Sequence, residues 1–533
     1  MLSPQPIFNG WLKRLLPPKI ALLAEFYQSK KRQSLLFAPS YLFLPIILTQ
    51  IMKKRLQWLG LILITLIGVL AFRSPAIAQT PRHFTDLTFP PLPEVTVPEY
   101  ERYQLDNGMV VYLMEDRSLP LVSGTAMIRT GGRLEPGEKV GLADITGTVL
   151  RSGGTEKHPS NVLNQLLEQR AALVETSIDL NAGTANFSAL SEDLEAVFNL
   201  FAEVLRSPAF ESQRVELAKV QEKGAIARRN DDPDDIASRE FKKLVYGDNS
   251  PYARTVEYST LANIDRQDLI DFYRTYVRPD QIILGIVGDF DSPSMKALIN
   301  KTFSDWKNPA TTPKIVTPSA TQKNLQGVFV VNQPQLTQST VLLGHLGGRL
   351  DSPDYPALTV LNEILSGFGG RLFNEVRSRQ GLAYSVYGVW NSRYDYPGLF
   401  IAGGQTRTDA TVPFIKAILG EIERLRNQPI TAKELADAKN AILNSFVFKF
   451  EKPAQNLSRL MTYEYYGYPQ DFIFRYQQAV KGVTIADIQR VAQQYLQPNQ
   501  IVTLVVGNEQ EIQPPLSSLG TTVKTVDVTI TQL

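Results

Sequence analysis

From Tyr103 onward the apolar residues follow two rhythms, one of period two and one close to 3.6. Tyr103–Glu115 alternates on either side of Asp106-Asn107-Gly108, which predicts a hairpin, since Asn-Gly accepts the positive φ of a tight turn. Leu121–Arg129 predicts a strand. Val140–Arg151 and Ser160–Leu173 predict helices, the second capped by Ser160. Thr176–Leu190 predicts a strand pair around Gly183, and Glu192–Leu205 and Glu211–Arg229 predict two long helices. Hairpins mixed with helix pairs imply an α+β fold, with mainly antiparallel sheets covered by helices on one face.

The pattern then repeats. Ile128–Pro136 reads IRTGGRLEP and Gly344–Pro353 reads GHLGGRLDSP, with Gly131 and Gly347 offset by 216. Asp268–Phe290 (DLIDFYRTYVRPDQIILGIVGDF) and Asp487–Glu509 (DIQRVAQQYLQPNQIVTLVVGNE) match with Pro279 and Pro498 offset by 219. Each copy ends in an amphipathic helix, a Pro-Asp or Pro-Asn turn and a β-branched strand closed by glycine. Two nearly equal offsets point to a duplicated, domain-sized unit. The expected halves are residues 100–307 and 324–510, with the Pro-rich stretch 308–323 as linker and hinge and residues 511–533 as a tail.

The segment before the first half follows neither rhythm. Lys53, Lys54 and Arg55 precede the apolar run Leu59–Phe72, and Ala76-Ile77-Ala78 supplies a small-x-small cleavage pattern. Residues 52–78 therefore read as a secretory signal, and the expected location is the periplasm or another extracytoplasmic lumen. At about 14 residues the run is short for a membrane span; an uncleaved anchor holding the protein to the membrane is the alternative. Residues 1–51 are basic and carry a second apolar patch, and read as a mis-assigned extension ahead of a true start at Met52. Residues 79–99 form a Pro-rich leader.

Composition removes several function classes. A formal net charge of +2 gives nucleic-acid binding no support, and no cysteine is present for disulfides or thiolate chemistry. The three histidines, His83, His158 and His345, are far apart in sequence, so no helical His-x-x-x-His zinc pair exists. No nucleophile elbow or Ser-His-Asp arrangement stands out.

Several segments nevertheless resemble the insulinase/pitrilysin-type zinc peptidases, which include the mitochondrial processing peptidases. In the first half these are Arg129-Thr130-Gly131-Gly132-Arg133, Gly141-Leu142-Ala143, Arg151-Ser152-Gly153-Gly154-Thr155 and Asn230-Asp231-Asp232-Pro233. In the second half they are Ser366–Phe373 (SGFGGRLF) and Gly381–Val386 (GLAYSV). The resemblance implies a clamshell half built of two homologous domains. It also implies a His-x-x-Glu-His helix, in which two histidines bind zinc, the glutamate activates water and a distal glutamate completes the site. Those roles map onto Asp144, Gly147, Thr148 and Ala225, and all four are lost. Glu222 stands either as a displaced distal ligand or, with nothing to pair with, as a solvated helix charge. The expectation is a member with no catalytic residue, no metal ligand and no cofactor of its own.

Active members also hold the substrate backbone with an arginine and a tyrosine from the second half, and Arg377 and Tyr384 match that pair. Such donors suit a peptide carbonyl or a developing oxyanion. Residue type alone suggests otherwise: a tyrosine in Leu-Ala-Tyr-Ser-Val packs half-buried in a strand, and a helix-end arginine meets carboxylates. Arg371 is a weaker candidate, Gly367, Gly369 and Gly370 read as a turn, and His345 and the cluster Tyr463, Tyr465, Tyr466 and Tyr468 read as packing. Some family members work as pairs, one chain carrying the zinc helix and the other the arginine and tyrosine. The resemblance therefore implies a zinc-bearing homologous partner and an unfolded peptide substrate. A peptide-holding scaffold of the same fold is the alternative.

Overall fold

A computed structural model describes Leu87, residues 95–311 and residues 315–531. The signal, the extension and most of the leader, with His83, lie outside the described residues. Among those described, no helix is long and apolar enough to cross a membrane.

The first half runs β1 (Glu101–Gln104), β2 (Val110–Glu115), β3 (Leu121–Ile128), α1 (Leu142–Ser152), α2 (Ser160–Glu168), β4 (Leu173–Ile178) and β5 (Gly183–Leu190). It continues with α3 (Leu194–Arg206), α4 (Ser212–Arg228), α5 (Pro233–Tyr246), α6 (Tyr258–Ala262), α7 (Arg266–Tyr276), β6 (Ile282–Gly288) and α8 (Ser292–Phe303). The second half runs β7 (Gly327–Asn332), β8 (Gln338–Leu346), α9 (Tyr355–Ser366), a π-helical turn (Phe373–Arg379), β9 (Ala383–Asn391) and β10 (Leu399–Arg407). Then follow α10 (Thr411–Asn427), α11 (Ala432–Asn444), α12 (Pro453–Tyr466), α13 (Phe472–Gly482), α14 (Ile485–Tyr495), β11 (Val502–Gly507) and β12 (Val523–Thr525).

The two sheets have corresponding orders, β1-β2-β6-β3-β5-β4 and β12-β7-β11-β8-β10-β9. Both are mainly antiparallel, as expected, with parallel pairs at β2–β6, β7–β11 and β7–β12. The last strand of each repeat, β6 or β11, returns after a run of helices and inserts beside the first, parallel to β2 or β7. A connection that long permits the parallel pairing a hairpin cannot make. The outer sixth strand breaks the symmetry, because β1 comes from the leader side of the chain and β12 from the tail.

Ser160 does not cap α2. It is already the first helical residue, and its amide donates to the Glu211 carboxylate at 3.0 Å. That helix stops at Glu168, and Ala171 at φ 46 turns the chain so that Leu173 begins β4.

The larger departure is that helices cover both faces of each sheet. One face carries the main core of its own half. The other takes a helix from the opposite half. Ile236, Ala237, Phe241 and Val245 of α5 pack on Phe329, Val331, Leu342, Leu504 and Val506 of the second sheet. Leu457, Leu460, Met461 and Tyr465 of α12 pack on Tyr112, Met114 and Ile283 of the first. The halves are therefore interlocked, and the described part of the linker, 315–323, is tied to both of them. Tyr252 Oη donates to Pro318 O at 2.6 Å, Thr317 Oγ1 to Asp395 at 3.1 Å and the Lys323 amide to Val245 O at 2.6 Å.

A helix also lies along one edge of each sheet, β4 in the first and β9 in the second. Arg151 Nε of α1 donates to Val174 O of β4 at 2.9 Å, and Thr176 Oγ1 donates to Gly147 O at 2.6 Å. In the second half the β9 amides of Gly388 and Trp390 donate to Ser366 Oγ and Asn362 Oδ1 of α9, at 2.7 and 2.9 Å. Occupying an edge strand's backbone groups in this way blocks pairing with other chains.

Candidate functional site

The helix that corresponds to a zinc helix, α1, is fixed at two points. Its N-terminus is capped from a distance by buried Glu135, which accepts from the amides of Gly141 at 3.1 Å and Ala143 at 2.8 Å. Burial pushes the Glu135 carboxyl up, opposed by those two amides and by Arg254. Arg254 in turn donates to the carbonyls of Gly132 and Glu135 at 2.8 and 2.6 Å. The second point is Gly147, whose missing side chain lets α1 press on the β4 backbone. A Cβ there would sit 2.2 Å from the Ile178 amide nitrogen and 2.7 Å from Ser177 C.

Asp144 and Thr148 lie on the exposed stripe of α1, one turn apart. The helix facing Asp144 is α4, and it brings Glu222 into side-chain hydrogen-bonding contact with Asp144. Glu222 is therefore neither unpaired nor a freely solvated charge. Both carboxyls are pushed above the ordinary range. For Glu222 the causes are desolvation, then the Asp144 charge and the hydrogen bond; for Asp144 desolvation dominates, offset by the hydrogen bond from Glu222. The two carboxyls therefore oppose each other's ionisation.

That pair makes a pH prediction. A carboxyl whose pKa is raised by folding stabilises the fold below its ordinary pKa, and the contribution is lost as pH rises through the folded value. Glu222→Gln removes the second charge. Its melting temperature is expected to exceed wild type at neutral and alkaline pH, with the difference vanishing in acid. A melting-temperature series from pH 4 to pH 9 checks this, and a difference independent of pH would show that the two carboxyls do not repel.

In the second half, Arg377 and Tyr384 come together at the open end of β9. The Arg377 guanidinium carbon lies 5.2 Å from the Tyr384 ring centroid and 4.9 Å from that of Phe373, a cation–π sandwich. Tyr384 is 85% exposed, and Arg377 is exposed as well. Among the described residues neither side chain makes a hydrogen bond or ion pair. The packing expected from residue type is therefore absent. Arg377 sits in the π-helical turn, a local irregularity that re-aims side chains.

The other candidates serve structure. Arg371 is only 8% exposed, and its Nε donates to Glu434 at 2.7 Å. Against the desolvation that raises it, the bonds from Arg371 and Thr431 hold the Glu434 carboxyl down at about 2. Gly367–Gly370 form a turn closed by the Gly370 amide on Gly367 O at 2.7 Å, with Gly369 at φ 77. His345 is buried beside Trp390 and Phe400 and bonds Leu346 O through Nδ1 at 2.8 Å, and burial pushes its pKa down. His158 pairs with Glu203 at 2.7 Å. In the tyrosine cluster, Tyr465 Oη donates to Asn181 O at 2.8 Å, and Tyr466 stacks on Tyr394 at 4.5 Å. Sequence reasoning missed Glu135 and Arg254, although Glu135 stands inside the Gly-Gly-Arg-Leu-Glu-Pro segment it had singled out.

Family models match both halves. Residues 110–256 match the insulinase family (peptidase family M16), and residues 263–442 match the peptidase M16 inactive domain. The chain belongs to the insulinase family. It is 24% identical over 363 residues to a Bacillus subtilis protein named uncharacterized zinc protease YmxG, covering 67% of this chain and 86% of that one. It is also 24% identical over 404 residues to a Helicobacter pylori protein named non-peptidase homolog YmxG, covering 74% of this chain and 91% of that one. A solved peptidase M16 inactive domain from Pseudomonas fluorescens shares the fold at TM-score 0.70 and 24% identity, covering 78% of this chain and all of that chain. A protease from Helicobacter pylori does so at TM-score 0.67 and 21% identity, covering 77% of this chain and all of that chain.

The insulinase family implies a zinc ion, and the residues here do not fit one. Asp144 and Glu222 supply oxygen ligands, but Thr148 and Ala225 add no anionic or imidazole donor where the family places them, and Gly147 is packed on backbone. Among the described residues no three His, Asp or Glu side chains converge to hold a metal.

Proposed function

We propose that this insulinase-family chain is an exported, catalytically silent subunit that lends Arg377 and Tyr384 to a peptide cleaved by a homologous zinc-bearing partner. The observation that carries the reading is the pair itself: two donor side chains, adjacent, exposed and without hydrogen-bond partners among the described residues, in a chain whose zinc-helix positions hold no ligand set. Exposed donors held in place by a cation–π contact stay available for a carbonyl or oxyanion. The name non-peptidase homolog carried by the Helicobacter pylori relative agrees with a silent chain. Export rests on the signal-like segment 52–78.

The test is to co-purify the tagged chain and measure peptide cleavage by the complex. Arg377→Ala is expected to lower kcat about a hundredfold, as loss of an oxyanion donor does. Tyr384→Phe removes one donor and is expected to cost less. Melting temperatures should not change, since neither side chain is buried. A loss confined to KM would make the pair a peptide holder only. Unaltered kinetics in both variants would remove the subunit reading and leave the peptide-holding scaffold.

A further inference from the structure

The C-terminal segment is bound as a strand of the fold. After β11 the chain buries Ile512 and Leu516 in the second core, then enters β12, parallel to β7 with Val523 opposite Val328 and Thr525 opposite Val330. The Val526 amide continues the ladder to Val330 O at 2.8 Å. Beyond it the alternation persists. Val526, Val528 and Ile530 are half-buried, and Asp527, Thr529 and Thr531 are exposed. This is the period of an extended segment with one face on a surface. Val526 and Val528 lie on the cluster formed by α5 and the second sheet, and Ile530 reaches the core of the first half.

The segment has a specific anchor. Asn230 Nδ2 donates to Val528 O at 2.7 Å, and Asn230 Oδ1 accepts from Arg239 Nη2 at 2.7 Å. Arg239 also donates to Arg229 O at 2.7 Å. Asn230 opens the Asn-Asp-Asp-Pro turn between α4 and α5, so one amide ties the tail to the joint between the Glu222-bearing helix and the exchanged helix. Both ends of that amide are used, which fixes its orientation.

We infer that residues 523–531 are a latch. They occupy a strand-binding groove formed by the β7 edge, α5 and Asn230, and thereby hold the α4–α5 joint of the first half against the second sheet. The groove's occupant is residues 523–531 of the chain itself, and its selectivity is for an extended segment with apolar residues at alternate positions.

The experiment uses the full chain carrying Val526→Asp, Val528→Asp and Ile530→Asp, with Thr525→Lys plus Thr531→Lys as an outward-facing control. Amide exchange over residues 226–246 and carboxypeptidase digestion of the tail are both measured. The triple variant is expected to lose protection over 226–246 and to be trimmed, while the control matches wild type. A synthetic peptide of residues 521–533 should restore the protection saturably, and a scrambled peptide should not. Asn230→Ala serves as a milder variant that leaves the core intact. It is expected to speed tail exchange about fivefold, the effect of one net hydrogen bond. Wild-type protection over 226–246 in a chain whose tail has been removed, or failure of the peptide to restore it, would overturn the latch.

Discussion

Residues 100–307 and 324–531, expressed separately, are expected to lack a cooperative melt and to aggregate, and co-expression of the two is expected to restore a soluble complex. The duplication makes each half look like a domain that stands alone, but the exchanged helices forbid it. Without the second half, Tyr112, Met114 and Ile283 lose Leu457, Leu460, Met461 and Tyr465. Without the first, Phe329, Val331, Leu342 and Leu504 lose Ile236, Phe241 and Val245. Each large apolar side chain taken out of water contributes roughly 1.5–3 kcal/mol, so four or five are worth on the order of 10 kcal/mol. That equals the whole stability of a typical domain, about 5–15 kcal/mol. The bonds that pin the linker, and the Arg133–Asp395 ion pair at 2.6 Å, are lost in addition. Thermal melts and size-exclusion profiles of the fragments decide the matter. A cooperative transition in either fragment alone would show that the exchange is dispensable.

Gly147→Ala is expected to destabilise the chain by about 1–3 kcal/mol, the cost of overpacking, although the same change in an ordinary helix interior is favourable by about 1 kcal/mol. The sign follows from the neighbour. The new Cβ meets the Ile178 amide nitrogen at 2.2 Å, and that atom belongs to a strand paired with β5. Backbone cannot swing aside as a long side chain can, so α1 and β4 must separate. Gly147→Glu, the substitution that would rebuild the general base, is expected to cost more still. A chain carrying Asp144→His, Gly147→Glu, Thr148→His and Ala225→Glu should therefore melt below the triple variant that keeps Gly147. Chemical denaturation of Gly147→Ala gives the sign directly. A stabilised alanine variant would mean that α1 and β4 are not in backbone contact.

The closeness of α1 to β4 also explains why the site was only partly legible in the sequence. The missing ligands were legible, because histidines and carboxylates are either at their positions or not. The pairing of Asp144 with Glu222 was not, because those residues are 78 positions apart and only the packing of α4 on α1 brings them together. The same holds for Tyr384. A tyrosine among apolar residues usually packs, and only the end of the α9 cover along β9 leaves this one exposed.

Taken alone, the sequence determined the repeat, most strands and helices, the order of the motifs and the absence of a zinc ligand set. These are properties of residue identity and local period. Tertiary structure decided which surface each apolar face would meet. A 3.6-residue period shows that α5 and α12 each have a face to bury, but it carries no address, and both helices are buried in the opposite half. It also made the C-terminal tail a sheet strand anchored at Asn230, because three alternating apolar residues gain little until a strand edge and a helix supply the groove that holds them.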